Sequence, residues 1–107
     1  MNHGFTRAAD GTITTFDVPG AGTGSGQGTQ AQNVNTPGTI DGNVIDADSV
    51  SHGFLRSKHG AITTFDAPEA GTGAGQGTFA TQQQPVGAIT GYYLDANNVY
   101  HGFLRTP

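Results

Sequence analysis

The chain has 107 residues, of which 18 are glycine, 5 are proline and none is cysteine, and only 11% are charged. This length favours one domain, and the missing cysteines exclude a disulfide framework and a zinc site built on thiolates. No apolar run approaches the roughly 18 residues that a membrane span needs, so no membrane insertion is expected. Four basic against eight acidic residues give a net charge of −4, which argues against a nucleic-acid partner held by phosphate contacts.

The chain repeats itself with a period of 49 residues. Residues 3–51 align without gaps with residues 52–100, and 26 of the 49 positions are identical. Residues 101–107 then open a third copy with the sequence His-Gly-Phe-Leu-Arg. We therefore divide the single domain 1–107 into repeat 1, repeat 2 and one extra C-terminal strand.

Each repeat predicts four short strands and no helix. Segments rich in Val, Ile, Thr and aromatic residues alternate with turns rich in Gly, Pro, Asn and Asp, and no segment keeps a helical period. The Asp10-Gly11 pair is a strong hairpin signal. In chain order, the strands predicted for repeat 2 and its flanks are 50–56, 61–66, 78–84, 87–94 and 99–105.

Four antiparallel strands in a period of 40–50 residues are typical of a β-propeller blade, with a β-solenoid and a β-prism or sandwich as alternatives. Two blades cannot close a ring, because propellers have about four to eight blades. The chain is then a piece of a longer array, or copies of it assemble head to tail into a ring or a filament. The extra strand repeats residues 3–7, so either strand could complete a neighbour's sheet, and we expect a homo-oligomer.

The motifs of repeat 2 also resemble those of a bacterial family. The string His52-Gly53-Phe54-Leu55-Arg56, then Gly-Ala-Ile-Thr-Thr-Phe-Asp-Ala-Pro, then Ala-Gly-Thr-Gly-Ala-Gly-Gln-Gly-Thr, resembles extracellular repeat proteins of the HAF type. The family's Asn-x-x-Gly turn is kept at 35–38 and becomes Gln-x-x-Gly at 84–87. The resemblance implies a propeller-like array that is extracellular or on the cell surface, and it implies no reaction. Residues 1–20 show no signal peptide.

The recurring His-Gly-Phe strands are interpreted as structural. Histidines spaced by 49 residues could form a metal-binding ring, but no second ligand accompanies them locally, which favours a hydrogen bond to a carbonyl or an aspartate. Asp17 and Asp66 are predicted to form ion pairs with the arginines of these strands, across the hairpin or between blades, and a paired-carboxylate enzyme is the alternative. The residues assigned to structure and assembly are His3, Phe5, His52, Phe54, Arg56, Phe65, Asp66, His101, Phe103 and Arg105.

Two further patterns contain residue types found in ligand-binding loops, but their details favour structural roles. Alternating glycines at 20–28 and 71–77 lack the helix and lysine of a phosphate loop, so they indicate close backbone approach where one blade crosses to the next. The acidic segments 46–49 and 95–98 lack the calcium-loop pattern and favour hairpin turns. Serine and histidine form no recognisable hydrolase arrangement, so no catalytic residue, metal or cofactor is assigned and no enzyme is expected.

Repeat 2 is aromatic at positions where repeat 1 is mostly polar. Tyr92, Tyr93 and Tyr100, together with Gln76, are the candidate ligand-binding residues, because exposed tyrosines beside amides can stack on sugars. They could equally fill an interface between blades. Two hypotheses follow: a non-enzymatic scaffold module that self-assembles, and, as the alternative, a carbohydrate-binding module with glycan partners.

Overall fold

Short β-strands form the regular structure of the protein. The computed structural model describes residues 1–35, 38–84 and 87–107. No helix occurs in these ranges, and the all-β prediction is confirmed. The predicted turns at 35–38 and 84–87 include residues outside the described ranges. The nine strands of the described residues are β1 (Gly4–Arg7), β2 (Ile13–Phe16), β3 (Gly28–Val34), β4 (Ile40–Ile45), β5 (Ser51–Arg56), β6 (Ile62–Phe65), β7 (Gly77–Gln83), β8 (Ile89–Leu94) and β9 (Tyr100–Arg105).

The strands form a small sheet and a large one. β1 and β2 make a two-stranded antiparallel hairpin through the Asp10-Gly11 turn, where Gly11 has a φ of 93° that glycine adopts without strain. The large sheet has seven strands in the order β3-β4-β5-β7-β8-β9, with β6 paired to β5. Within it, β3 to β6 form one antiparallel meander and β7 to β9 form another.

The two meanders meet in a parallel contact. β5 and β7 pair in parallel at Ser51 and Gly77, so the large sheet is mixed and the prediction of purely antiparallel pairing is wrong. The reason is the glycine: a side chain on Gly77 would collide with the Ser51 backbone. Asn2 and Gly28 form an equivalent parallel bridge near β1. The last glycine of each tract therefore permits the close backbone approach that the sequence predicted.

The hydrophobic core lies between the small sheet and the β4–β5 face of the large one. Its buried members are Val18, Ile40, Val44 and Phe54, and Phe16 from β2 packs against them. Side chains alternate between faces along each strand, which is why Ile40 and Val44 of β4 share one face. In the described residues, no helix is long and apolar enough to cross a membrane.

Candidate functional site

The best-defined polar site is centred on His52, the second residue of β5. Its Nδ1 lies 2.7 Å from Oδ1 of Asp66, which directly follows β6. Its Nε2 lies 2.8 Å from Oδ2 of Asp46, which directly follows β4. Two antiparallel neighbours of β5 therefore deliver one carboxylate to each side of the imidazole ring. The histidine–aspartate hydrogen bond that the sequence predicted is present.

The hydrogen bonds of this site favour the protonated form of His52 and the ionised form of Asp46. Both ring nitrogens of His52 face carboxylate oxygens, and only the protonated imidazole can donate to both. Burial disfavours the charged ring, but the hydrogen bonds to Asp46 and Asp66 outweigh it and raise the pKa of His52. Burial also opposes ionisation of Asp46, yet its bonds from His52 and from backbone N–H groups lower the pKa of that carboxyl. The geometry and the direction of these shifts therefore favour a protonated His52 ring between the two carboxyl groups.

The acidic segments 46–49 and 95–98, for which the sequence favoured hairpin turns, position these carboxylates. Oδ1 of Asp46 accepts the backbone N–H groups of Asp48 at 2.9 Å and Val50 at 3.0 Å. Asp95 holds the equivalent turn after β8, and hydrogen bonds from His101 and from the backbone lower its pKa. In the described residues, no group of three or more acidic, histidine or cysteine side chains could hold a metal ion. Each aspartate is thereby held in position for the histidine six residues further along.

The two outer copies of the histidine have half of this arrangement each. Nδ1 of His3 lies 2.8 Å from Asp17, the equivalent of Asp66. Nε2 of His101 lies 2.8 Å from Asp95, the equivalent of Asp46. Within the described residues, neither outer histidine contacts a second carboxylate. In the described residues, His3 therefore has a carboxylate only at Nδ1 and His101 has one only at Nε2.

The predicted cross-strand ion pair between Asp66 and Arg56 is wrong, and among the described residues no aspartate lies within ion-pair distance of an arginine. The hairpin register places Arg56 opposite Ile62, at the turn end, whereas Phe65 lies opposite Gly53. Asp66 follows Phe65 and therefore lies at the far end of the hairpin, beside the histidine. The distance along the strand pair, rather than the chemistry of the two side chains, prevents the contact.

The arginines stack on phenylalanine rings instead. The guanidinium carbon of Arg56 lies 4.9 Å above the Phe16 ring, and that of Arg105 lies 4.9 Å above the Phe65 ring. Such stacking is attractive because the face of an aromatic ring is electronegative. Each stack joins one His-Gly-Phe strand to the Ile-Thr-Thr-Phe strand that precedes it along the chain, so the arginines fasten successive hairpins together.

The three equivalent phenylalanines differ strongly in burial. Phe54 in β5 is completely buried and packs edge-on against Phe16, with ring centroids 6.1 Å apart. Phe103 in β9 is half-buried against Phe65, whereas Phe5 in β1 remains 60% exposed. An open groove of about 310 Å³ runs beside Phe5, between β1 and β3. The outer strands therefore present apolar surface that the central strand buries.

The tyrosines form a cluster on one face of the β7–β9 meander. Tyr92 stacks on Phe79 at 4.9 Å and contacts Tyr100 at 5.3 Å between ring centroids. Tyr100 is 68% exposed. Tyr93 lies on the opposite face, stacked on His101. The structure thus brings together two of the four candidate ligand residues, Tyr92 and Tyr100.

Gln76, the fourth candidate, is engaged in the fold. The residue is buried, and its Oε1 accepts the N–H of Gly73 at 2.9 Å. Its Nε2 donates to Asn98 Oδ1 at 3.0 Å and to the Ala96 carbonyl at 3.3 Å. These bonds tie the glycine tract to the turn that precedes β9.

Two features escaped the sequence reasoning. The roles of Asp46 and Asp95 were visible in principle, because an aspartate precedes His52 and His101 by six residues. Asp41 gave no such signal: it is fully buried in β4, where neither carboxylate oxygen makes a well-formed hydrogen bond among the described residues and the Asn33 side chain of β3 only partly offsets the burial. Burial raises the pKa of the Asp41 carboxyl. Position 90, its equivalent, carries threonine.

Comparison with known proteins gives no identification. The chain matches no family model, no curated protein and no solved structure at a significant level. The geometry described above therefore has to support any functional conclusion.

Proposed function

We propose that this chain is a non-enzymatic structural module that self-assembles head to tail through its β-sheets, into a closed β-propeller ring or a filament. In this proposal the β3–β6 meander is one complete blade. The β7–β9 meander and the β1–β2 hairpin are the inner and outer parts of blades that neighbouring copies complete. As part of the proposal, such an assembly lies outside the cell or on its surface, which the sequence resemblance to HAF-type repeats supports.

The observation that carries the proposal is where the apolar surface lies. In the described residues, the large apolar side chains that are exposed lie in or next to β1, β2 and β9, or at the end of β3, and none lies in β4 to β8. They are Met1, Phe5, Ile13, Val34, Val99, Tyr100 and Leu104. Exposed apolar surface marks interaction sites, and here it lies on the separate β1–β2 hairpin and on β3 and β9, the two ends of the large sheet. Two unlike ends favour heterologous contacts.

A second support is the unpaired edge of β9. In the described part of the chain β9 pairs with β8 alone, whereas the same residue sequence in β5 pairs on both sides. An edge with unpaired N–H and C=O groups is a template for another strand. Since propellers have about four to eight blades, two to four copies would close a ring.

The test is the mass of the chain in solution. Light scattering across a concentration series should show a species larger than the 10.9 kDa monomer, and electron microscopy should distinguish rings from filaments. A monomer at every concentration, up to about millimolar where weak association becomes visible, would contradict the proposal.

A carbohydrate-binding module remains the second candidate, and the Phe79–Tyr92–Tyr100 cluster is the observation that favours it. Stacked rings with one exposed tyrosine present a flat apolar surface of the kind that sugars cover. A glycan array probed with the wild type and with Tyr100→Ala tests this function. Binding that the substitution abolishes would support it, and no binding by the wild type at high concentration would favour the scaffold.

A further inference from the structure

The β5–β6 hairpin shows which strand the free edge of β9 accepts. In that hairpin Gly53 pairs with Phe65, Leu55 with Thr63 and Arg56 with Ile62. β9 carries the same His-Gly-Phe-Leu-Arg sequence, and its edge away from β8 is unpaired among the described residues. The other Ile-Thr-Thr-Phe segment of the chain is β2. A second copy can therefore supply β2 as the missing neighbour of β9.

In its own chain, β2 is occupied by β1 in the same register. Gly4 pairs with Phe16 and Arg7 with Ile13, as Gly53 pairs with Phe65 and Arg56 with Ile62. β1 is thus a shorter copy of β9 placed on the edge that β9 would need. We propose that copies join by strand exchange: β9 of one copy displaces β1 and pairs with β2 of the next copy. This inference rests on the proposed self-assembly and identifies its joint.

The space over Gly102 supports this joint. A methyl group built on Gly53 would lie 2.5 Å from the Phe65 ring, and one on Gly4 would lie 2.6 Å from the Phe16 ring. Both glycines are therefore covered by the phenylalanine that ends the neighbouring strand. At Gly102 the only atom found within 4 Å among the described residues is the Gly91 carbonyl oxygen, at 4.0 Å. After exchange, Phe16 of the second copy would cover Gly102.

The exchange would also complete the histidine site of β9, which has one carboxylate in the separate chain. His101 already binds Asp95 through Nε2, and exchange would bring Asp17 of the second copy to its Nδ1. The result is the two-carboxylate arrangement of His52, assembled from two copies. His3 would lose Asp17 on displacement, so the carboxylate changes histidines and is not left unpaired.

The pairing explains why β1, and not β9, is displaced. β9 forms six register pairs with β8, whereas β1 forms four with β2. Displacing β1 therefore breaks these four pairs, and β9 forms four equivalent ones. The Asn2–Gly28 bridge beside β1 is also broken, and Tyr100, which has the sequence position of Asn2 in its copy, would re-form it. Displacing β9 would break six. The exchange leaves the number of paired residues unchanged and moves Asp17 from His3 to His101, which then has two carboxylates, and raising the protein concentration favours it by mass action.

Two equivalent substitutions test the joint with opposite expected effects. Gly102→Val enters open space in the separate chain but collides with Phe16 of the second copy, so the concentration at half-assembly should rise about tenfold or more. Gly4→Val collides with Phe16 in its own chain, loosens β1 and should lower that concentration. Circular dichroism of each variant checks that the strands remain. Equal assembly of both variants and the wild type would overturn the inference.

Cysteine trapping measures the register directly, because the chain has no cysteine. Leu104 would lie opposite Thr14 of the second copy, as Leu55 lies opposite Thr63. Mixing Leu104→Cys with Thr14→Cys under mild oxidation should give a disulfide-linked pair. Mixing Leu104→Cys with Thr6→Cys is the control, since β1 is displaced and should not cross-link.

These outcomes separate the joint from the proposed function. Assembly that persists in Gly102→Val, without Leu104–Thr14 cross-links, would contradict strand exchange and leave self-assembly standing. Preferential Leu104–Thr6 cross-links would likewise contradict it. A wild type that is monomeric at all concentrations would contradict both proposals.

Discussion

The His-Gly-Phe-Leu-Arg motif occurs in β5, inside the large sheet, and in β9, at its edge, with a near-copy in β1 of the separate hairpin, and the three have different surroundings. In β5, Phe54 is completely buried, Gly53 is covered by Phe65 and His52 binds two carboxylates. In β9 the glycine is uncovered and the histidine has one carboxylate. In β1 the phenylalanine is 60% exposed.

The comparison shows that neighbouring strands, not the local sequence, decide what such a strand contributes. β5 has a strand on each side and another hairpin over its apolar face, so His52, Phe54 and Arg56 each have a side-chain partner. β1 and β9 each lack one of those neighbours in the described structure. The same residues therefore stabilise the centre and form candidate contact surface at the ends.

The largest difference should appear when the equivalent phenylalanines are truncated. Phe54→Ala removes a fully buried ring and should lower the free energy of unfolding by about 3–5 kcal/mol. Phe5→Ala removes a mostly exposed ring and should lower it by less than about 1 kcal/mol. Urea denaturation, at a concentration too low for assembly, measures both. Equal losses would show that the outer strand is buried in solution and would break the comparison.

The covered and uncovered glycines should differ by a smaller amount. Gly53→Ala forces a methyl group against Phe65, which is fixed by Arg105 and Phe103, and should cost about 1–3 kcal/mol. Gly102→Ala enters open space and restricts the unfolded chain, so the same change should be neutral or stabilise by up to about 1 kcal/mol. Thermal melts of the two variants provide the measurement, and a similar loss at Gly102 would mean that its face is covered.

The elements of this fold could be predicted from sequence because their signals are local. Alternating β-branched and aromatic residues, Asp-Gly turns and the 49-residue period located the strands to within about two residues. The parallel contact of Ser51 with Gly77 could not be predicted, because it depends on how two meanders approach each other. The buried state of Gln76 has the same origin, since its partners lie 20 and 22 residues away.

The histidine site was predictable only in part. One carboxylate follows from the sequence pattern, but pairing His52 with Asp66, rather than Arg56 with Asp66, requires the hairpin register. Register counts from the turn, and a residue after the return strand lies opposite the beginning of the first strand. The same register rule places Gly102 of one copy opposite Phe16 of the next in the strand exchange that we propose.

Asp41 offers a change that should stabilise the central meander. Its carboxylate is fully buried, and burial raises its pKa despite the Asn33 side chain, so ionisation at neutral pH costs stability, and this cost disappears as the pH falls and the carboxyl protonates. Asp41→Asn removes the charge at nearly constant shape and should raise the free energy of unfolding by about 1–3 kcal/mol at neutral pH. Asp48→Asn, the same change at an exposed position, is the control. A destabilised Asp41→Asn would show that the carboxylate has a partner in solution.

The smallest expected effect is a pH-dependent loss of stability when His52 is replaced. The pKa of His52 is raised in the folded chain, so its stabilisation is complete below the ordinary histidine value of 6.5 and is lost as the pH rises through the folded value. The pKa of Asp46 is lowered in the folded chain. The stabilisation that Asp46 contributes is therefore fully present above pH 3.8, the ordinary aspartate value, and is lost as the pH falls through the folded pKa. The stabilisation is therefore largest between these limits.

His52→Gln should accordingly destabilise the protein more at about pH 5.5 than at about pH 8.5. Because the three side chains are partly exposed, we expect the difference to be about 0.5–1 kcal/mol. His59→Gln, the same change at an exposed histidine in the β5–β6 turn, is the matched control. A His52→Gln loss that is equal at both pH values would mean that the ring binds its aspartates in the neutral form. The two-carboxylate site would then be held by hydrogen bonds alone, and completing it at the joint between copies would add no pH dependence to their assembly.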